Sequence, residues 1–204
     1  MDLFTYDKQF LNDIKYIAGV DEAGRGPLAG PVCVASVIMP LDEENIIADV
    51  NDSKKLTEKK REKLFDEIIS KAIAYSIEFV DEDTIDEINI LNATKLGMKN
   101  AITNLKVKPD LVLIDAVKLD IDYNIKPIIH GDALSYNIAC ASILAKVSRD
   151  RYIYSIADKY PEYNFAKNKG YGTKAHIEAL KTYGACKIHR ESYLKNFNVS
   201  KYGK

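Results

Sequence analysis

Two adjacent carboxylates, Asp21 and Glu22, end a short apolar run and stand directly before a glycine-rich loop. The stretch 19–26 reads GVDEAGRG, so the loop also carries an arginine, Arg25. An ionised carboxylate that leaves water is strongly destabilising unless a positive charge compensates it, so stability alone does not explain this pair. The residue types predict a divalent metal ion as the compensating charge, and solvated turn residues are the alternative.

The same loop approaches the dinucleotide-binding pattern G-x-G-x-x-G, because residues 24–30 read GRGPLAG. Two features argue against that interpretation. The last glycine falls one residue late, and the loop leads into Pro31 and the β-branched run 32–39, which predicts a strand where the pattern requires a helix. The sequence therefore predicts a β-hairpin here, and a nucleotide-dependent dehydrogenase is a poor hypothesis.

Length and composition are typical of one globular domain. With 204 residues, 47% of them hydrophobic and 29% charged, we expect a single domain over 1–204, with a C-terminal helical extension over about 155–204. No apolar run approaches the roughly 20 residues of a membrane helix, and the N-terminus lacks the pattern of a signal peptide. These features predict a cytoplasmic protein with no membrane partner, and nothing in the sequence demands more than a monomer.

Neither the cysteines nor the histidines have the spacing of a metal site. The chain has three of each, namely Cys33, Cys140, Cys186, His130, His176 and His189. The cysteines lie far apart without C-x-x-C spacing, which predicts reduced thiols and places the first two in the core. The histidines lack the spacing of zinc ligands, and we expect them at the surface or at helix ends.

Charge is segregated along the chain although the net charge is −1. Residues 142–204 hold 13 Lys and Arg against 5 Asp and Glu, whereas residues 1–141 hold 16 against 25. A basic C-terminal third beside an acidic site suits a polyanionic substrate, because Lys and Arg hold phosphates while metal ions mask the carboxylates. A solvated basic helical face is the alternative that remains open.

Alternating elements predict an α/β fold with a mixed β-sheet flanked by helices and a small C-terminal helical region. We expect strands near 16–21, 32–39, 73–80 and 110–115 and a weaker strand near 126–130. Helices are predicted over 58–71, 135 to about 159, and 174–183. A further long helix is expected to open at Thr84, with Glu87 as its capping-box partner, and to run toward residue 105.

Two further acids, Asp115 and Asp132, are candidate ligand-binding residues of such a fold. Asp115 follows the continuous apolar run 111–114, which predicts that it lies at the carboxyl end of a central strand. Asp21 is expected at the same edge of the sheet. Asp132 precedes a helix rich in small residues, and helix capping is an alternative role for it. Ser142 and Lys146 lie four residues apart on that helix and share a face that suits a phosphate, although close packing on the sheet explains the small residues without a ligand.

Six segments of the chain resemble bacterial ribonuclease HII. They are GVDEAGRGPLAGPV from residue 19, DSKKL at 52–56, LIDA at 113–116, GDALSYNIACASILAKVSRDR at 131–151, NKGYGTKAH at 168–176 and HRESY at 189–193. The resemblance spans residues 15–195 and implies a ribonuclease H-like fold. It also implies a two-metal phosphodiesterase that cleaves the RNA strand of RNA–DNA hybrids and DNA duplexes containing a single ribonucleotide, leaving 3′-hydroxyl and 5′-phosphate ends.

The resemblance also implies a role for individual residues. Four carboxylates would be catalytic and would hold Mg²⁺ or Mn²⁺: Asp21, Glu22, Asp115 and Asp132. The ribose 2′-hydroxyl would be read by Gly24, Arg25 and Gly26. The neighbouring deoxyribose would lie against Tyr171. Residues that would hold backbone phosphates are Ser53, Lys54, Ser142 and Lys146.

Other family features separate the remaining hypotheses. His130 stands where many members carry Lys, which predicts a weaker or pH-dependent phosphate contact. Ribonuclease HIII has an extra N-terminal domain and a lysine in the equivalent loop, so Arg25 and the short segment before the first strand favour type HII. A non-catalytic hybrid-binding module is the alternative function, but a pure binder gains nothing from four acids that face phosphate.

Overall fold

The protein is described here by a computed structural model that covers residues 2–12, 14–115, 117–195 and 197. Its sheet is built from β1 Ile17–Ala23, β2 Val32–Ile38, β3 Ala74–Val80, β4 Leu111–Asp115 and β5 Ile125–Ile128. The strand order is β3-β2-β1-β4-β5, with antiparallel pairing of β1 to β2 and β2 to β3 and parallel pairing of β4 to β1 and β5. The mixed sheet and its opening hairpin are therefore confirmed.

The first strand is longer than predicted. We expected β1 to end at Asp21, but its pairing with β2 continues through Asp21↔Ala35, Glu22↔Val34 and Ala23↔Cys33. The reason is that β2 is buried along its whole length, so the hairpin extends until the chain turns at Gly24, where φ is +101°. The two acids consequently lie within a rigid strand instead of in the loop that follows it.

Helices cover both faces of the sheet. They are α1 Leu3–Lys8, α2 Glu58–Lys71, α3 Glu82–Thr103, α4 Tyr136–Ala157, α5 Phe165–Asn168, α6 Lys174–Tyr183 and α7 Glu191–Leu194. Helix α3 is interrupted at Asn89, whose φ of +66° is not helical, so the predicted long helix consists of two segments. The predicted start of α3 at Thr84 is wrong, because the side chain of Asp81 accepts a hydrogen bond of 2.8 Å from the Thr84 amide and caps the helix earlier. No helix in the described part of the chain is long and apolar enough to span a membrane.

Helix α4 lies directly against the strand that carries the acids. A β-carbon at Gly19 of β1 would lie 2.0 Å from the carbonyl carbon of Asn137, so only glycine permits this approach. Asn137 is itself buried, and it is held by Asp7 of α1, whose Oδ2 accepts hydrogen bonds of 2.8 and 2.9 Å from its backbone and side-chain amides. Cys33 and Cys140 are fully buried, as predicted.

Beyond α4, the described residues form short helices and turns. An apolar cluster containing Ile153, Phe165 and Leu180 packs them against Leu28 and Ala29, which follow the glycine-rich loop. The end of the predicted C-terminal extension, residues 198–204, lies outside the described residues. The packing attaches the basic third of the chain to the loop beside the acids.

Candidate active site

Parallel pairing brings Asp21 and Asp115 to neighbouring positions. Strands β1 and β4 run in register through Val20↔Ile114, so the next residue on each strand is an acid. Asp21 is 6% exposed, and Glu22 follows it on β1 toward the same edge of the sheet. The predicted convergence of acids from two strands is thus a consequence of sheet register.

Asp132 reaches this edge through a three-residue 3₁₀ turn, Gly131–Ala133. The Gly131 amide donates a 2.9 Å hydrogen bond to Oδ1 of Asp115, which ties the turn to the end of β4. Helix capping does not explain Asp132, because Ser135 caps α4 by accepting a hydrogen bond from the Ile138 amide. Its carboxylate lies instead 3.3 Å from the Lys54 ammonium.

Negative charge in this cluster exceeds the positive charge around it. Burial, together with the charges of Glu22 and Asp115, raises the pKa of the Asp21 carboxyl well above its ordinary value. Burial also raises the pKa of Glu22, although Arg25, 3.3 Å away, opposes this effect. In the described part of the chain no basic side chain forms an ion pair with Asp21.

These acids are chemically suited to a hard divalent cation. All the side-chain donors are carboxylate oxygens, which are the ligands preferred by Mg²⁺ and Mn²⁺. Among the described residues, no group of three or more His, Cys, Asp or Glu is already arranged as a metal cluster. Two of the acids instead contact the side chains of Arg25 and Lys54, which are 47% and 80% exposed and therefore free to move away.

One cleft of about 250 Å³ contains every predicted site residue except Asp132, and Ala23 completes its lining. Asp132 lies beside it through its contact with Lys54. A larger cleft of about 930 Å³ lies between α1 and residues 43–51, but it contains none of the four acids. The acids therefore identify the smaller cleft as the candidate active site.

The predicted phosphate-binding residues meet at one side of the cleft. A 3₁₀ turn, Ser53–Lys55, packs against α4 so that the hydroxyls of Ser53 and Ser142 lie 2.9 Å apart. Lys146 occupies the next turn of the helix, but its ammonium lies 2.8 Å from a carboxylate oxygen of Asp150. The hydroxyls thus form a fixed pair, while Lys146 has an internal acidic partner.

Arg149 is a supporting residue that the sequence did not reveal. Its guanidinium is 1% exposed and donates hydrogen bonds of 3.0, 3.0 and 3.1 Å to the carbonyl oxygens of Ala29, Pro31 and Lys169. A charged residue on a helix is expected to face solvent, and its place in the motif at 131–151 does not indicate burial. Arg149 joins the glycine-rich loop to the segment before Tyr171.

Two of the three histidines, which we expected at the surface or at helix ends, are buried at the start of α6 and just before α7. His176 and His189 are 0% and 4% exposed, and their Nε2 atoms lie 2.9 Å apart. His176 Nδ1 donates to the carbonyl oxygen of Tyr171, so its Nε2 accepts from His189, whose Nδ1 accepts from the Cys186 amide. This chain of hydrogen bonds requires both imidazoles to be neutral. His130, by contrast, is exposed.

The buried histidine pair predicts a loss of stability in acid. Burial and the neighbouring His176 lower the pKa of His189 from 6.5 to about 4, so its stabilising effect is complete above pH 6.5 and is lost as pH falls toward 4. We expect the advantage of the wild type over His189→Gln in unfolding free energy to shrink by on the order of 3 kcal/mol across that window. Urea denaturation at several pH values measures it.

Two comparisons make this test specific. Burial raises the pKa of Asp7 to about 6, which acts with the opposite sign, but this contribution is common to both proteins and cancels in the difference. His130→Gln, at an exposed position, is the matched control and should leave the pH dependence unchanged. A stability gap between wild type and His189→Gln that stays constant with pH would contradict the assignment.

Known proteins with this fold carry ribonuclease names. Ribonuclease H2 of Pyrococcus horikoshii is 31% identical, with a TM-score of 0.73 over 87% of this chain and 93% of the other. The ribonuclease HII of Archaeoglobus fulgidus, solved in complex with PCNA, is 25% identical, with a TM-score of 0.75 over 91% of this chain and 98% of the other. The fold is therefore that of the ribonuclease H-like proteins.

Sequence comparison defines the family more narrowly. A sequence profile of ribonuclease HII matches residues 18–196. Ribonuclease HII of Caldicellulosiruptor bescii is 62% identical over 95% of this chain and 94% of its own length, and that of Acetivibrio thermocellus is 57% identical over 98% of this chain and 78% of its own length. The chain belongs to the ribonuclease HII family. It is accordingly a hydrolase, an endoribonuclease of the class that acts on RNA paired with DNA.

Proposed function

We propose that this enzyme cleaves the RNA strand of RNA–DNA hybrids and incises DNA duplexes on the 5′ side of embedded ribonucleotides, leaving 3′-hydroxyl and 5′-phosphate ends. The observation that carries this proposal is the convergence of three of the four acids, the glycine-rich loop and Tyr171 on one cleft. We further propose that it acts in the cytoplasm, as a monomer, in the removal of ribonucleotides from DNA. Its bacterial relatives support this placement.

The proposed reaction uses two divalent ions, Mg²⁺ or Mn²⁺, held by Asp21, Glu22, Asp115 and Asp132. When bound, such a pair activates the attacking water and stabilises the leaving 3′ oxygen. Burial, together with the charges of Glu22 and Asp115, raises the pKa of Asp21, and a cation at this position would favour the ionised carboxylate. Lys54 would turn from Asp132 toward a substrate phosphate, and Arg25 would turn from Glu22 toward the ribose.

Recognition of the ribonucleotide is assigned to the loop and to Tyr171. Only the 2′-hydroxyl distinguishes RNA from DNA at a given position, so the protein must approach the sugar closely. A β-carbon at Gly26 would meet only the Tyr171 ring, at 3.7 Å, so the space over this glycine opens toward that ring. A ribose over Gly24, Arg25 and Gly26 would place the next deoxyribose near Tyr171.

The direct test is cleavage of a labelled DNA duplex that holds one ribonucleotide, with Mg²⁺ or Mn²⁺ and then with EDTA. We expect metal-dependent incision 5′ of the ribonucleotide, mapped at nucleotide resolution. Cleavage restricted to longer RNA stretches would contradict the incision activity. Binding without cleavage would support a non-catalytic module instead.

Tyr171→Ala is expected to impair single-ribonucleotide substrates more than hybrids with an all-RNA strand. The ring would lie against deoxyribose only at an RNA-to-DNA junction, and losing that contact should lower kcat/KM there by about tenfold, or about 1.4 kcal/mol. Tyr183→Ala is a suitable control, because Tyr183 is 51% exposed against 44% for Tyr171 and lies outside the cleft. Equal losses on the two substrates would argue against a junction contact.

A further inference from the structure

The segment 189–193, HRESY, has no part in the proposed chemistry, yet it contacts the glycine-rich loop across more than 160 positions of sequence. Arg190 is fully buried, and its guanidinium donates hydrogen bonds of 2.6, 3.1 and 2.7 Å to the carbonyl oxygens of Gly24, Arg25 and Gly30. The Tyr193 hydroxyl donates a 2.7 Å bond to the same Arg25 carbonyl. Two side chains therefore hold one peptide of the loop.

These contacts orient the amides of the loop. In a planar trans peptide the C=O and the following N–H point in opposite directions. Because the carbonyls of Gly24 and Arg25 turn inward to the buried guanidinium, the amides of Arg25 and Gly26 point away from it. The loop thus presents backbone N–H donors on the side opposite Arg190. There the oxygen of a sugar hydroxyl or of a phosphate would accept hydrogen bonds from them.

A second contact from the same segment reaches the other substrate-reading position. His189 donates to His176, and His176 donates to the Tyr171 carbonyl oxygen, at 2.9 Å in each case. Backbone hydrogen bonds also connect the two positions. The Arg190 amide donates to the Leu28 carbonyl at 2.9 Å, and the Leu28 amide donates to the Gly170 carbonyl at 2.8 Å. One segment therefore fixes both the loop and the residue that faces it.

We propose that residues 189–193 form a clasp that sets the distance between the glycine-rich loop and Tyr171, and thereby the geometry in which a ribonucleotide and its neighbour are read. Arg190, Tyr193 and His189 are positioning residues that touch no substrate. The inference rests on the proposed function, because it assigns the two ends of the clasp to the reading of adjacent sugars. A purely structural role would instead affect only the fraction of protein that is folded.

Tyr193→Phe is the sharpest variant, because it removes one hydroxyl and keeps the ring, which lies 5.1 Å from the Arg190 guanidinium. On a duplex with one ribonucleotide we expect a KM raised by about fivefold, with a melting temperature lowered no more than in the tyrosine control, because each variant loses one hydrogen bond. Arg190→Lys keeps the charge but not the planar fork, and kcat/KM should fall by about 100-fold. Tyr163→Phe is the control, because it also loses a hydroxyl bond to a carbonyl oxygen, that of Gly184, away from the loop.

The outcomes separate the clasp from the proposed function. A raised KM in Tyr193→Phe but not in Tyr163→Phe supports the clasp. Two results would overturn the clasp: an unchanged KM in Tyr193→Phe, or a kcat that falls with the melting temperature in both tyrosine variants. Neither result would affect the proposed incision activity of the wild type. A wild-type enzyme that leaves the duplex uncut would overturn the proposed function and the clasp with it. Failure of Arg190→Lys to fold leaves the decision to Tyr193→Phe.

Discussion

Asp21→Asn should abolish cleavage while binding of the RNA–DNA hybrid persists. The variant keeps the shape of the side chain but loses the charge proposed to hold a divalent ion at the centre of the cluster. We expect a loss of about 4 kcal/mol of transition-state stabilisation, a rate lower by about 10³-fold, with the dissociation constant changed only slightly. Single-turnover cleavage and fluorescence anisotropy measure the two quantities.

Stability provides an independent signature of the same substitution. Because burial and the charges of Glu22 and Asp115 raise the pKa of Asp21, the ionised form is destabilising at neutral pH, and Asn removes that penalty. The inactive variant should therefore melt at the same temperature as the wild type or at a higher one. Asp120→Asn, at an exposed position, is the charge-matched control and should keep full activity. Undiminished cleavage by Asp21→Asn would refute the carboxylate assignment.

Gly19→Ala should prevent the protein from folding. The new methyl carbon would lie 2.0 Å from the Asn137 carbonyl carbon and 2.3 Å from its oxygen, and neither backbone can retreat because β1 is central and α4 is buried. Overpacking against side chains typically costs about 1–3 kcal/mol, and a backbone clash in the core should exceed 4 kcal/mol. Circular dichroism and urea denaturation would detect the loss.

The control for this glycine is Gly26→Ala in the nearby loop. A β-carbon there meets only the Tyr171 ring, at 3.7 Å, so the melting temperature should not change. If Gly19→Ala were as stable as Gly26→Ala, the close approach of α4 to β1 would be wrong. Gly26→Ala should still bind ribonucleotide substrates less tightly, because the methyl group occupies space proposed for the sugar.

Local sequence patterns predicted the scaffold because the relevant forces are local. The hairpin followed from Pro31 and the β-branched run after the loop, and each predicted strand is present with ends displaced by at most two residues. The start of helix α3 was predicted too late because either Asp81 or Thr84 could cap the helix. In the structure the carboxylate of Asp81 accepts a hydrogen bond from the Thr84 amide. The convergence of Asp21 and Asp115 was predictable because each acid comes directly after an apolar run, and the two runs pair as parallel strands.

The interior polar residues could not be predicted in this way. Arg149 and Arg190 are buried on backbone carbonyls that are supplied by distant loops, and periodicity contains no information about such partners. His176 and His189 are 13 positions apart, a spacing that matches no zinc site and no helix face, so their contact depends on the packing of α6 against the following turn. Only the family resemblance marked these segments, without indicating what they do.

The clasp also has a consequence for the timing of synthesis. The carbonyls of Gly24 and Arg25 receive their final hydrogen bonds from residues 190 and 193, near the other end of the chain. On the ribosome, the first hairpin emerges long before those partners exist, and such non-local contacts form late. A nascent chain would thus carry all four acids well before its glycine-rich loop is ordered, so the proposed reading of the sugar would be acquired only after residue 193 has been translated.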